Sequence, residues 1–202
     1  MSEKKITSLD DFDYPTQVIG WCKRNTKSIP QKDDDEFYFP PRIFREKKCN
    51  CIDIAFMLHM WCKSHNIPNR MVQVCFEYKI PWNTCINTQA HVVTAYQDVM
   101  FDGAWYVGNI SGEGYIEYNS APTLEKCILN FAHAYLPFLV KMCKKSFRKQ
   151  FTVTDYYYAI LTDKQTQKIE HRYCANNVTG KQKFFHSLVS EVQSVKITDI
   201  PK

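Results

Sequence analysis

The sequence lacks an apolar run long enough to span a lipid bilayer. Its longest apolar stretch, Cys127 to Val140, is interrupted by Asn130, His133 and Pro137, whereas a transmembrane helix needs about 20 consecutive apolar residues. The first residues are polar and lead into an acidic segment, so they lack the apolar core of a signal peptide. Internal repeats and low-complexity segments are also absent. These absences predict a cytoplasmic protein without a transmembrane segment.

The cysteines do not form the pattern of a disulfide scaffold. The chain has nine cysteines, an odd number, and they are scattered through apolar and helical stretches. Disulfide-rich domains are shorter chains and are richer in turns. We therefore expect a reducing compartment and free thiols, most of them buried in the core.

The charge is small and uneven. The net charge is +5, which does not predict binding to nucleic acid. Residues 1–110 hold 13 basic and 13 acidic residues, and residues 111–202 hold 13 and 8. Five basic residues of the second half recur at helical spacing: Lys141, Lys144, Lys145, Arg148 and Lys149. A solvated surface is the default interpretation of such a set, and a site for an acidic partner is the alternative.

The length and composition predict one globular domain. A chain of 202 residues with 45% hydrophobic and 14% aromatic residues can bury a substantial core. We divide it into a polar N-terminal arm over 1–14, a core over 15–115 and a C-terminal extension over 116–202, which we expect to pack on the same domain.

Hydrophobic periodicity predicts an α+β fold. The predicted elements of the first half are, in order, a short helix from Pro15, a helix over 52–65, a strand over 70–78, a loop over 79–90, a hairpin of strands 91–96 and 99–103, and a further strand over 105–107. Those of the second half are a helix over 124–149 that bends or splits at Pro137, a strand over 151–161 with residues 164–173 paired to it, and a helix over 183–195. The hairpin turn is placed at Gln97-Asp98, the polar break between two apolar runs.

Residues 47–70 are the most informative stretch, because a thiol stands there between a charged loop and an apolar helix. Only Asp53 and His59 are strongly polar in the eleven residues after Cys51, and a helix that is apolar nearly all round is a buried one. The unpaired N–H groups and positive partial charge of a helix N-terminus stabilise a thiolate, the nucleophilic form of cysteine. We therefore predict that Cys51 is a nucleophile, with Cys49 as the fallback.

A base and an orienting acid follow from the predicted hairpin. Catalysis by a cysteine needs a base within hydrogen-bond reach of the thiol and a third group that orients the base. His91 opens the first hairpin strand, and Asp102 ends the second. A tight turn at Gln97-Asp98 would place the Asp102 carboxylate beside the His91 ring, where it would stabilise an imidazolium.

The same stretch resembles a known family. Residues 51–55, Cys-Ile-Asp-Ile-Ala, and residues 66–70, Asn-Ile-Pro-Asn-Arg, are similar to the pattern Cys-x-Asp-x-Ala … Gly-Ile-Pro-x-Arg of transglutaminase-like cysteine enzymes. Trp21, Pro40-Pro41 and His91 resemble the first helix, the lead-in loop and the histidine strand of that family. The likeness covers about residues 15–110, roughly half of the chain.

The resemblance implies a papain-like core, in which the helix with the thiol packs on a small antiparallel sheet that carries the base. It also implies acyl transfer at a carboxamide through a thioester, with no cofactor. The acceptor would be water in a peptidase or amidase and an amine in a transglutaminase. The family often has its third catalytic residue four positions after a tryptophan, which here is Asn109, whereas the hairpin argument selects Asp102. Cys49 and Asn66 stand where the family usually has glycine.

Two alternatives to an enzyme remain at this point. Cys49-x-Cys51 and Cys62-x-x-His65 resemble two halves of a zinc site, but a continuous helix separates the halves by about 16 Å, too far for one ion. The chain could also be a non-catalytic binding module that retains the transglutaminase-like fold and uses its basic C-terminal half. A protein or peptide is the expected substrate or partner in either case.

Overall fold

The structure is a computed structural model that describes residues 5–29, 36–99, 102–108, 120–147, 150–174 and 181–200. In these segments helices cover both faces of an antiparallel sheet. The predicted α+β class is therefore confirmed.

The described helices are a short 3-10 turn and six α-helices. The 3-10 turn is Leu9–Asp11, and the α-helices are α1 (Pro15–Asn25), α2 (Pro40–Glu46), α3 (Cys51–Ser64), α4 (Leu124–Phe147), α5 (Asp163–Cys174) and α6 (Lys181–Ser190). None of the helices in the described segments has both the length and the apolar character that crossing a membrane requires.

The described strands form a short pair and a larger sheet. They are β1 (Lys27–Ser28), β2 (Lys48–Cys49), β3 (Asn69–Ile80), β4 (Asn83–Gln97), β5 (Trp105–Gly108), β6 (Thr152–Ile160) and β7 (Val195–Ile197). The two-residue strands β1 and β2 pair in parallel just before α3 begins. The other strands form an antiparallel sheet in the order β5-β4-β3-β6-β7.

The two faces of the sheet bury different helices, because successive side chains of a strand point to opposite faces. Val72, Val74 and Phe76 of β3 pack in one cluster with the apolar residues of α4. Met71 of β3 and Val92 of β4 pack on the other face, with residues of α3, α5 and α6. The sheet therefore separates α4 from the helix that carries Cys51.

Helix α3 is buried on nearly every side, as its composition predicts. Its apolar residues contact the sheet, and Met57, Leu58 and Trp61 also pack with the buried residues of α1. The Trp61 Nε1–H donates to the carbonyl oxygen of Phe12 at 3.2 Å. The predicted helix over 52–65 is thus confirmed, one residue away from its predicted bounds.

Apart from the hairpin, three predicted elements differ wholly or in part from the structure. The loop over 79–90 is wrong, because β3 runs to Ile80 and β4 begins at Asn83. The segment 164–173 is helix α5 and not a strand; Thr162 and Gln165 cap it, since the Gln165 side chain accepts from both Thr162 N–H and Oγ1–H. Helix α4 continues through Pro137, so of the predicted bend or split the split does not occur.

Candidate functional site

Cys51 is the first residue of α3, and its neighbours close the helix start. The Asn50 Oδ1 atom accepts hydrogen bonds from the N–H groups of Ile52 and Asp53 at 3.1 and 3.2 Å. The Asp53 Oδ2 atom accepts from the Asn50 N–H at 3.0 Å. This reciprocal arrangement is a capping box. The predicted position of Cys51 at a helix N-terminus is confirmed.

The two neighbouring thiols differ in accessibility. Cys51 is partly exposed, whereas Cys49 is 1% exposed. The Cys49 thiol lies 3.1 Å from Thr26 Oγ1, to which it donates. Cys51 is therefore the more exposed of the two residues, although it packs partly against the core cluster that includes Ile52.

Asp53 is a fully buried carboxylate two residues after Cys51 in α3. Besides the Asn50 N–H, it accepts a hydrogen bond from the Tyr38 N–H at 3.2 Å and one from the Tyr173 hydroxyl at 2.9 Å, both on Oδ1. Each of its partners comes from a different part of the chain: the helix cap, the lead-in loop before α2, and α5. Asp53 therefore joins the start of α3 to the C-terminal extension.

Tyr173 lies against this carboxylate inside an aromatic stack. Its ring is 3.7 Å from the Phe56 ring and 4.5 Å from the Phe37 ring, centroid to centroid. Burial raises the pKa of Tyr173 well above its usual value, and the charge of Asp53, the hydrogen bond to it and the thiols of Cys51 and Cys49 raise it further. The hydroxyl therefore stays protonated and donates to Asp53. Sequence analysis missed this residue, because α5 was predicted as a strand.

His91 lies in β4, but its side chain is on the face of the sheet opposite to α3. The Thr94 Oγ1 donates to the Ala55 carbonyl of α3 at 2.6 Å. Residues of β4 that are an even number of positions from Thr94 therefore also face α3. His91 is three positions away and faces α4, where its ring centroid lies 4.5 Å from that of Tyr135. The predicted contact between the Cys51 thiol and the His91 ring is therefore wrong for this conformation.

Asp102 is not beside His91 either, because the predicted hairpin turn is wrong. Strand β4 continues through Gln97, and a loop leads from there to β5, which begins at Trp105. The exposed Asp102 carboxylate accepts from the Ala104 N–H at 2.9 Å and the Tyr106 hydroxyl at 2.8 Å. These two hydrogen bonds lower its pKa. His91 lies six residues back along β4, about 20 Å from this loop.

The alternative third residue, Asn109, lies outside the described residues. So do Arg148 and Lys149 of the basic set. The remaining members, Lys141, Lys144 and Lys145, are exposed on the last turns of α4. The Lys144 Nζ atom lies 5.5 Å from the centroid of the Phe151 ring.

Five other cysteines have the properties of core residues. Burial raises the pKa of Cys22 and of Cys62. Burial also raises the pKa of Cys75 and Cys127 to about 12 and that of Cys143 to about 11. Thiols with such pKa values are poor nucleophiles at neutral pH. In the segments that the structure describes, no three His, Cys, Asp or Glu side chains are grouped so that they could hold a metal ion.

Two comparisons of the sequence with known proteins find no relative of the chain. A scan against protein-family models finds no match, and a search of curated proteins finds no similar sequence.

Proposed function

We propose that the chain is a cysteine-dependent acyl-transfer enzyme that acts on peptide or side-chain carboxamides through a thioester on Cys51. The observation that carries the proposal is the position of a partly exposed cysteine at the first residue of a capped and buried helix. The N-terminus of such a helix stabilises a thiolate. The order of the thiol helix, β3 and the histidine strand β4 also resembles the papain-like core that the sequence motif implies.

The proposed reaction has two steps. The Cys51 sulfur attacks the carbonyl carbon of the carboxamide, and the C=O electron pair moves to the oxygen, where the backbone N–H of Cys51 can donate to it. Collapse of this intermediate breaks the C–N bond and releases an amine, which carries away the proton lost by the thiol. Water or a second amine then attacks the thioester, which gives the product and restores the thiol.

The proposal depends on the thiol and not on the predicted triad. His91 could take the thiol proton only if its ring left Tyr135 and reached the α3 face of the sheet. Asp102 has no part in it, because the loop that holds Asp102 is distant from His91. A third residue at Asn109 stays a prediction of the family pattern.

The test separates cleavage from amine transfer and both from inactivity. The full chain is incubated with a peptide library, with and without dansylcadaverine as the amine, and products are identified by mass spectrometry. We expect wild type to cleave peptides or to attach the amine. Cys51→Ala should lower the rate by more than about a thousandfold, as removal of a nucleophile does.

Two control variants match this change. Cys85→Ala removes a thiol that is exposed on β4, and Asp102→Asn removes the carboxylate of the β4–β5 loop. Both should retain the wild-type rate. The enzyme proposal fails if wild type forms neither product, or if Cys51→Ala forms them as fast as wild type.

A second candidate function is a non-catalytic binding module. The observation that favours it is the orientation of His91, whose ring packs on Tyr135 and faces away from α3. Its binding surface would include the exposed Lys141, Lys144 and Lys145. Absence of both reaction products, together with retention of the chain on an immobilised acidic peptide, would favour this function over the enzyme.

A further inference from the structure

The negative charge of Asp53 opposes ionisation of the Cys51 thiol. Asp53 is 0% exposed, and it stands two positions after Cys51 in the same helical turn. A nearby negative charge opposes formation of a thiolate, so it works against the favourable field of the helix N-terminus. The groups that donate to Asp53 therefore influence how readily Cys51 ionises.

Donors from three parts of the chain contact the carboxylate, and one of these donors is a side-chain hydroxyl. The Asn50 and Tyr38 donors are backbone N–H groups, which every residue but proline provides. The third donor is the Tyr173 hydroxyl, at 2.9 Å from Oδ1. Tyr173 reaches Asp53 from α5, 120 positions along the chain, and is 3% exposed.

The stack around Tyr173 holds its hydroxyl in place. The ring lies nearly parallel to Phe56 of α3, at an interplanar angle of 13°, and against Phe37 of the lead-in loop. Phe37 in turn contacts Phe184 of α6, with ring centroids 6.0 Å apart. The C-terminal extension thus brings a hydrogen-bond donor to the first turn of α3, and the aromatic stack fixes the direction of that donor.

We propose that Tyr173 is a positioning residue of the Cys51 site, which acts by donating to Asp53 and offsetting its charge next to the thiol. This inference builds on the proposed function, since it concerns how the same nucleophile is kept reactive. It assigns to the C-terminal extension a role in the chemistry at Cys51. The titratable groups that act on Tyr173 are Asp53 and Cys51 on α3 and Cys49 on β2.

The proposal predicts opposite effects for two conservative variants. Tyr173→Phe keeps the aromatic stack and removes the donor, so the charge of Asp53 acts more strongly on the thiol and the pKa of Cys51 rises. Asp53→Asn keeps an acceptor for the Asn50 N–H and removes the charge, so the pKa of Cys51 falls. In Asp53→Asn, the further change Tyr173→Phe has no effect, because the charge that Tyr173 offsets is gone.

The experiment measures alkylation of the folded full chain by iodoacetamide from pH 5 to 10. Peptide mass spectrometry gives the rate at Cys51, with the exposed Cys85 as the reference thiol in the same molecule. We expect Tyr173→Phe to move the midpoint for Cys51 upward by about 0.5–1 pH unit, which means about three- to tenfold less thiolate at neutral pH. Asp53→Asn should move it downward, and the double variant should match Asp53→Asn.

Other outcomes overturn the proposal. An unchanged midpoint in Tyr173→Phe, shifts of the same sign in both single variants, or additive shifts in the double variant would show that Tyr173 has only a structural role. Tyr14→Phe, at a residue that is 52% exposed, is the control and should leave the midpoint unchanged. Thermal unfolding of each variant shows whether it is folded. Because alkylation needs no substrate, this result is independent of whether the acyl-transfer proposal succeeds.

Discussion

At the scale of single residues, His59 is a buried polar group that contacts two other polar side chains. Its Nδ1 lies 2.5 Å from Asn69 Oδ1 and its Nε2 lies 2.9 Å from Glu170 Oε1. Because the Asn69 Nδ2 donates to the Ile67 carbonyl, Asn69 presents its oxygen to the histidine, and Nδ1 must carry a proton. Glu170 also accepts from Lys63 Nζ at 2.6 Å. One carboxylate therefore joins α5 to two residues of α3.

These contacts make stability depend on pH. Partial burial alone would raise the pKa of Glu170, but hydrogen bonds from His59 and Lys63 and their charges outweigh it, so the pKa of the folded state is lowered. The unfolded chain then binds a proton at a higher pH than the folded chain does. The stabilisation is complete above the pKa of an unfolded glutamate, about 4.3, and is lost as the pH falls towards the lowered value.

We predict that Glu170→Gln removes this part of the acid sensitivity. The measurement is the urea midpoint of unfolding between pH 7 and pH 3.5. Wild type should lose more stability below about pH 4.3 than Glu170→Gln does. Glu191→Gln is the control, because Glu191 is half exposed and pairs only at the surface with Lys168. Parallel curves for wild type and Glu170→Gln would contradict the prediction.

At the scale of elements, β5 approaches the helices closely at Gly108. A Cβ at this position would lie 2.3 Å from Leu58 Cδ2 of α3 and 2.6 Å from Ile19 Cδ1 of α1. Both of these side chains are fully buried, so neither can swing into solvent. Glycine is therefore required at Gly108 by the packing of β5 against α1 and α3.

We predict that Gly108→Ala lowers the free energy of unfolding by about 1–3 kcal/mol, the usual cost of overpacking a core. Gly20→Ala is the matched control. A Cβ there would meet only the guanidinium end of the exposed Arg24, at 3.3 Å, and alanine favours a helix interior over glycine by about 1 kcal/mol. Urea denaturation should therefore show destabilisation in Gly108→Ala and none in Gly20→Ala. Equal losses in both variants would refute the argument from packing.

Elements with local signals were predictable from the sequence, and those without were not. Helix α3 has an asparagine cap and an apolar run, so its start at Cys51 could be located. The β4–β5 turn was placed wrongly because the apolar Val99 suggested a strand, although Val99 is 54% exposed. The usable signal was Asp102-Gly103, since Gly103 has a φ of 68°, a conformation that favours glycine. A strand pattern also could not show which face His91 occupies, because that depends on which helix covers each face.

At the scale of the whole molecule, the segment predicted as an extension contributes to the central sheet. Strand β6 pairs with β3 along most of its length and lies between β3 and β7. The apolar residues of α4 pack in one cluster with β3, β4 and β5. This order of strands could not be predicted from the sequence, because the pairing of β3 with β6 joins residues about 80 positions apart and has no local signature.

The shared sheet predicts that both halves of the chain unfold together. Unfolding of residues 120–200 would remove β6 from the sheet and expose the core beneath α4, so the first half should not persist alone. Buried thiols report on each half: Cys22 and Cys62 in the first, and Cys127 and Cys143 in α4. Burial raises the pKa of Cys127 to about 12, so a short pulse of iodoacetamide at pH 8 should label it only in unfolded chains.

We expect the four thiols to become labelled at the same urea concentration, as measured by peptide mass spectrometry after each pulse. The exposed Cys85 should be labelled at every urea concentration and is the control for the reagent. A lower midpoint for Cys127 and Cys143 than for Cys22 and Cys62 would mean that the C-terminal half unfolds separately. In that case Tyr173 would leave the Cys51 site before the rest of the fold is lost, and the thiol would depend on the stability of α5 as well as on that of its own helix.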